Sequence, residues 1–467
     1  MTQVPPLYLL IEETGRELRA RLVLALHAAR AGYSSIIAPQ WLTWEILGDL
    51  PKGLTLFKGN SAVQAKNMAN AKNAGHLVVS IEEEALGLCD AGQINRCYHP
   101  SVARNCDMFL FQGEFQRDCV TKYLGEPVRS AVTGNPRIDL LASEFNKRHA
   151  SEADDLKQRF GDFLLINTNF STINPRDLDA SAVLDTCLNA GWYDPNVPED
   201  IEIFFAEAER EQTDLRNLID LIHALVDGGF EHPIVIRPHP AENLSIWQRT
   251  FAGHAAVHIH PGGELVASIS AAKLLLHTSC TTGMEAFVLG KPAISLRTPE
   301  SEWTNIITSN LVNPAFTRVE DAIDAIETHF EAASPWIDPR PSSEFSGGIS
   351  EAPFHKPSHY AELRRHISID KDRGSSARII AACADLMTGR ETWNHGARSL
   401  EAFGRAAASD KSIDLATLGA DAARDVMQEL GAAMGFETLP RLEEIAPGVI
   451  LCHPPAAMSA AQRSESP

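Results

Sequence analysis

Basic residues are scarce in this chain of 467 residues. Lys and Arg number 41 against 61 Asp and Glu, so the formal net charge is −20. No basic tract offsets that deficit, and binding across a run of nucleic-acid phosphates needs clustered Lys and Arg, so a nucleic-acid partner is excluded. A single local basic pocket remains compatible with an acidic chain. Long apolar runs are missing as well. No stretch of about 18 uninterrupted apolar residues occurs, which excludes a membrane-spanning helix. The opening MTQVPPLYLLIEETGREL lacks a basic n-region and a small-residue cleavage site, so no signal peptide is expected. The eight cysteines (89, 97, 106, 119, 187, 280, 383 and 452) form no C-x-x-C pair and no Cys/His spacing suited to zinc. They read as small buried hydrophobes in a reducing compartment.

What is present is an alternation of short apolar runs and helical patterns. LYLLI (7–11), YSSIIAPQ (33–40), TLF (55–57), HLVVSI (76–81), DMFLFQG (107–113) and PVRSAVTGN (127–135) read as strands. The helix at 17–32 puts Leu18, Leu22, Ala25 and Ala29 on one face and stops at Gly32. A second series follows a charged helix near 151–160: FLLINTNF (163–170), HPIVIRPHP (232–240), AVHIHP (256–261), AAKLLLHTSC (271–280) and PAISL (292–296), with helices over roughly 199–229 and 318–333. Strands and helices in this order predict parallel sheets with right-handed crossovers. The expected domains are 1–150 and 151–338, both Rossmann-like and doubly wound. After them come a Pro/Ser/Gly-rich linker at 339–374, a helical extension over 375–453 that crosses back to the first domain, and a disordered tail at 454–467. Two such α/β units facing each other across a cleft would have the architecture of the glycosyltransferase B (GT-B) fold and of its epimerase relatives, with ligands at the carboxyl ends of the strands.

The second unit carries the chemistry most visibly. IVIRPHP (234–240) ends a strand in Arg237, Pro238, His239 and Pro240, where the prolines stiffen a loop holding a guanidinium and an imidazole suited to phosphate oxygens. The plain structural alternative is a strand-end turn with an exposed histidine. LHTSCTTGMEAFVLGKPAISL (276–296) passes from a strand through small hydroxyl residues into a helix. Ser279, Thr281 and Thr282 are placed to cap that helix, Gly283 allows close approach, and the free N–H groups would take an anion. Glu285, on the first turn, is placed to accept from ribose hydroxyls. Ordinary capping is the alternative here. Cys280 reads as a packing residue and not a nucleophile, since no His is placed to activate it.

These residues carry a family resemblance. R-x-H-P followed by H-x-S-x-x-T-G-x-E-A…G-K-P resembles the C-terminal domain of bacterial surface-polysaccharide transferases, among them capsule-type sugar-acid transferases and polyol-phosphate transferases of wall teichoic acid synthesis. IEETGREL (11–18), HLVVSIEEEALG (76–87), DMFLFQGEFQ (107–116), VTGNPRIDLL (132–141) and LINTNFS (165–171) resemble the family of surface carbohydrate biosynthesis proteins of capsule and lipopolysaccharide. The likeness covers roughly residues 7–300 and resumes at 375–387. TGNPR-x-D is also similar to a segment of UDP-N-acetylglucosamine 2-epimerases. The resemblance implies that Arg237, His239, Ser279, Thr281, Thr282, Gly283 and Glu285 bind a nucleotide donor, CMP- or CDP-linked or UDP-linked.

In the first unit, Glu12 and Glu13 follow strand one, and Arg16 opens the next helix. Displacement at a sugar needs a base for the acceptor hydroxyl, and Glu12, which matches the family's motif glutamate, is the first candidate. Pairing with Arg16 to brace the loop is its alternative. Glu82, Glu83 and Glu84 would ordinarily be a solvated run, but they begin at a strand end, so one of them, Glu83, is expected to face the cleft. Asn135 and Arg137, then Asn167 and Asn169, are expected as interdomain or ligand contacts, with tight-turn chemistry as the alternative for 134–136. No D-x-D stands where a divalent metal would bridge a diphosphate, so metal-independent chemistry without a cofactor is expected. The expected function is a cytoplasmic glycosyltransferase that moves a sugar from a nucleotide donor to a surface-glycan or lipid-linked acceptor. Contact with a membrane-bound assembly complex at the inner membrane is left open. A nucleotide-sugar epimerase of the 2-epimerase type and a non-catalytic assembly component are the alternatives.

Overall fold

The computed structural model describes residues 5–189, 192–298, 306–331, 357–369, 374–388, 398–409 and 419–455. Most of the Pro/Ser/Gly-rich segment at 339–359 and the tail beyond 455 lie outside the described residues. The chain divides into two compact units: one of residues 1–86, 91–145 and 367–467, the other of 87–90 and 146–366.

The first unit is built on an eight-stranded sheet. Its strands are β1 (Leu7–Ile11), β2 (Ser35–Pro39), β3 (Leu54–Phe57), β4 (Leu77–Ile81), β5 (Met108–Phe111), β6 (Ser130–Val132) and, from the far end of the chain, β13 (Arg441–Ala446) and β14 (Val449–His453). The order is β13-β14-β2-β1-β3-β4-β5-β6. β1 to β5 are buried on both faces, which is why they read as unbroken apolar runs and why they pair in parallel. The helix Thr14–Arg30 buries Leu18, Leu22 and Ala25 against the sheet, and Ile379, Cys383, Met427 and Leu430 of helices Ser375–Met387 and Ala420–Ala433 join the same core.

The second unit has a six-stranded sheet: β7 (Leu164–Asn167), β8 (Ile234–Arg237), β9 (Val257–Ile259), β10 (Leu274–His277), β11 (Ala293–Leu296) and β12 (Ala315–Phe316), in the order β12-β11-β10-β7-β8-β9. The 30-residue helix Pro198–Asp227 packs Leu218, Leu221, Ile222 and Leu225 into its core. Both sheets are doubly wound, as the sequence pattern predicts.

Two expectations fail. Residues 441–453, expected within a helical extension, form the β13–β14 hairpin, and β14 lies antiparallel to β2. Val449, Ile450 and Cys452 are fully buried there, and Gly448 at φ 69° makes the turn. The end of the segment expected as linker contains the helix Pro357–His366. Proline at a helix start loses no hydrogen bond, and Tyr360 and Leu363, three apart, bury one face. Among the described residues no helix is long and apolar enough to cross a membrane.

Candidate functional site

In a doubly wound sheet the chain reverses its direction of strand addition once, and the two strands flanking that reversal leave a crevice at their carboxyl ends. In the first unit the reversal falls between β1 and β3, because β2 lies on the other side of β1. The residues leaving those strands are Glu12 and Lys58, and they are ion-paired at 2.6 Å. Lys58, itself buried, also bonds Glu17 at 2.5 Å. Glu12 therefore braces to Lys58 and not to Arg16. Glu13 caps the helix Thr14–Arg30, accepting from the N–H groups of Gly15 at 3.0 Å and Arg16 at 2.8 Å, while Arg16 is exposed.

The acidic run after β4 is not a solvated face. Glu82 and Glu83 are buried and only Glu84 is exposed. Glu83 accepts from Arg21 Nη1 at 2.7 Å, and Arg21 also donates Nε to the Leu10 carbonyl at 2.7 Å. Burial would raise the Glu83 carboxyl, but Arg21, with Lys58 and Arg137 behind it, holds it below the usual range. Among the described residues no cation pairs with Glu82. Burial pushes it up to about 8, although Asn60 Nδ2 donates to it at 3.0 Å. Sequence reasoning placed Glu17 beside Arg16 at the start of this helix but missed Lys58, Arg21 and Asn60. The available signals were that Lys58 directly follows a strand and that Arg21 lies one helical turn after Glu17.

In TGNPRID the described bonds are those of turns and helix caps. Asn135 accepts from Arg137 N at 2.9 Å as the cap of a short helix. Asp139 accepts from Ser375 N and Ser376 N, both at 2.7 Å, and so caps the helix Ser375–Met387 from a distance. Gly134, at φ 80°, lies against the Ser368 carbonyl and Ser375, where no side chain fits.

In the second unit the reversal falls between β7 and β10. The final residues of three neighbouring strands stand in register there: His277 of β10 opposite Asn167 of β7, and Asn167 opposite Arg237 of β8. Both polar atoms of the buried Asn167 amide lack a hydrogen-bond partner among the described residues, as do Arg237 Nε and Thr278 Oγ1. Each such group costs about 1–3 kcal/mol when left unpaired. Arg237 donates its Nη2 to the Gly263 carbonyl at 2.9 Å, and burial draws its guanidinium below the ordinary value against the opposing pull of Glu285, Glu264 and Glu152. Asn169 is half-buried on the loop beyond β7.

The loop leaving β10 departs from its expected chemistry. Ser279 sits at φ 55°, a left-handed conformation that costs a serine energy and collects at ligand sites. Thr281 occupies the N-cap position of the seven-residue helix Thr282–Val288 with helical dihedrals and makes no side-chain cap bond. From an extended backbone its hydroxyl would reach the N–H groups of the first turn, but from a helical one it does not. Ser309 Oγ takes that place, accepting from Met284 N at 3.0 Å. The expected cap by Ser279, Thr281 and Thr282 is thus absent. Gly283 is needed for another reason: a Cβ there would overlap the His277 ring. That histidine accepts from Cys280 N at 3.4 Å on Nδ1, and burial lowers it to about 3, so it is neutral. Burial pushes the Cys280 thiol up, which suits packing and not nucleophilic attack.

All eight cysteines are free, and among the described residues no group of three or more His, Cys, Asp or Glu could hold a metal. No family profile matches the chain, and no curated protein matches it in sequence. Solved structures match in fold. A Listeria monocytogenes protein provisionally named a UDP-N-acetylglucosamine 2-epimerase aligns with a TM-score of 0.50 at 12% identity, covering 84% of this chain and 98% of that one. The UDP-GlcNAc 2-epimerase of Neisseria meningitidis, solved with UDP-GlcNAc bound, aligns with a TM-score of 0.49 at 14% identity over 82% of this chain and 100% of its own. At such identities the likeness fixes the fold alone: α/β, with two Rossmann-like units of the GT-B type that these epimerases share with glycosyltransferases.

Proposed function

We propose that this protein is a nucleotide-sugar enzyme that seats a nucleoside diphosphate sugar at the β7/β10 reversal of its second unit. The observation that carries the reading is the in-register row of His277, Asn167 and Arg237, whose Asn167 amide and Arg237 Nε stay buried and, among the described residues, unpartnered where an open α/β sheet takes its ligand. Arg237 and His239 are assigned to phosphate oxygens, and Glu285 to the ribose hydroxyls. At the matching point of the first unit, Lys58, Glu12 and Glu17 satisfy one another. Of the carboxylates there, Glu12 stays half exposed while Glu17, Glu82 and Glu83 are buried, so Glu12 is the one open to take part in a proton transfer.

Inversion at a sugar carbon without an acceptor is the reaction favoured, and it is supported by the epimerase name of the Listeria fold neighbour. Transfer to a surface-glycan acceptor is the second reading, supported by the R-x-H-P and S-x-x-T-G-x-E-A resemblance. Incubating the purified protein with UDP-GlcNAc in D₂O without acceptor separates them. Epimerisation places deuterium at the inverted carbon, seen by NMR. Transfer leaves the sugar unlabelled and releases nucleotide only when an acceptor is added. Failure of UDP, CDP and GDP alike to bind in calorimetry would refute both.

A further inference from the structure

The loops that follow β7 and β8 are joined through a single buried carboxylate. Glu242 is 1% exposed and takes four donors from three chain segments. Its Oε1 accepts from Thr168 Oγ1 at 2.5 Å, Phe170 N at 3.1 Å and His239 N at 3.2 Å, and its Oε2 accepts from Trp247 Nε1 at 3.1 Å. The same loops meet again along the backbone: Arg176 N donates to the Ala241 carbonyl at 2.7 Å, and Asn243 N to the Asn174 carbonyl at 2.9 Å. The far side of the β7 loop is pinned by Glu211, which accepts from Thr172 N at 3.0 Å and Ile173 N at 3.2 Å. Every group aimed at Glu242 is a donor, so an acceptor-only side chain satisfies the position and a neutral amide does not.

His239 stands between two prolines that offer no N–H, so its backbone is placed by the bond to Glu242. Its ring is placed from two residues on, because Ala241 N donates to Nδ1 at 3.2 Å. A neutral imidazole that accepts on Nδ1 carries its hydrogen on Nε2. We infer that Glu242 is the positioning residue of the nucleotide site, holding the β7 and β8 loops as one body so that His239 serves as an Nε2–H donor to a phosphate oxygen and not as a base. The inference rests on the nucleoside diphosphate reading above and adds to it the device that orders the loop.

The test measures UDP and CDP binding by calorimetry, and melting by differential scanning calorimetry, for the wild type and four variants. In Glu242→Gln the amide either meets the Trp247 N–H or turns its NH₂ on the loop donors, and binding is expected to weaken about tenfold or more. Adding Trp247→Phe removes that conflict and frees the Gln carbonyl for Thr168, Phe170 and His239, so the double variant is expected to regain most of the affinity. His239→Gln keeps an N–H donor near the Nε2 position and is expected to bind more tightly than His239→Ala. A purely structural Glu242 would lower the melting temperature and leave affinity within about twofold of wild type, which overturns the inference. The histidine pair decides the matter even if Glu242→Gln fails to fold: equal binding by the two variants removes the donor role. Absence of binding in the wild type refutes the nucleotide reading itself and is distinct from either result.

Discussion

Replacing Glu83 by Gln would leave the Arg21 guanidinium buried without its main counter-charge. Arg21 is 2% exposed, its contact to Glu83 is 2.7 Å, and its nearest alternative carboxylate, Glu17, is 3.9 Å away. Removing one partner of a buried ion pair costs about 3–5 kcal/mol. The Leu10 carbonyl at 2.7 Å still accepts from Nε, so the lower end, about 3 kcal/mol, is expected. For a folding unit of this size about 1 kcal/mol moves Tm by about 2–4 °C, giving a fall of about 6–12 °C in calorimetry. The double variant Arg21→Met/Glu83→Leu removes both charges and should return close to wild-type stability. The pH dependence has a definite sign. A carboxyl held below its ordinary 4.5 contributes stability above that value and loses it as pH falls through the folded-state value, so the gap between wild type and Glu83→Gln should narrow in acid. A Glu83→Gln protein that melts with the wild type yet shows no turnover would refute this reasoning and return Glu83 to the reaction.

Gly283→Ala should destabilise the second unit by about 1–3 kcal/mol, read from urea midpoints, because the new methyl overlaps the His277 ring; an unchanged midpoint refutes the packing. Glu82, raised to about 8, keeps its proton in the folded state while the unfolded chain releases it above 4.5, so stability should decline as pH rises across that window. Glu82→Gln should flatten the decline, and identical slopes count against it. His277, lowered to about 3, and His27 and His76, each lowered to about 4, stay neutral when folded while the unfolded chain charges below 6.5. The contribution of these histidines should therefore fall steadily from pH 6.5 toward 4, opposite in sign to that of Glu82, and a His76→Gln variant whose unfolding midpoint shifts between pH 7 and 5 as the wild type's does refutes this. Ile450→Ala should cost about 2–5 kcal/mol in equilibrium unfolding, since Ile450 is fully buried beside β2; a cost typical of a surface site would show that β14 is not part of the sheet.

The strands were legible because a parallel strand covered on both faces has to be apolar throughout, as LYLLI, LVVSI and LLLH are. Strand order was not legible. Asn167 and His277 became neighbours only once β7 and β10 were seen in register, which local patterning does not encode. The hairpin at 441–453 was hidden for the same reason, since its partner β2 lies some four hundred residues earlier and Ala-rich helices precede it. At the candidate site the residue types were readable and the partners were not. Glu12 follows a strand and precedes Arg16, yet its counter-charge is Lys58, delivered by β3. The hydroxyl residues before Gly283 read as caps, but capping depends on the dihedrals of Thr281, which are helical two residues after the left-handed Ser279 and are not encoded by residue type.

The hairpin that completes the first sheet also sets an order of events during synthesis. β1 to β6 leave the ribosome within the first third of the chain, yet the partner that covers the β2 edge, β14, is translated about 300 residues after β6. At about 5–20 residues per second that interval lasts roughly 15–60 seconds. Residues 146–366, which form nearly all of the second unit, emerge in that interval with every strand of their own sheet present. The later unit is therefore free to finish folding first, while the earlier one waits with an unpaired β2 edge of the kind that recruits foreign strands. A nascent chain stalled before residue 449 should accordingly be the form most dependent on chaperones.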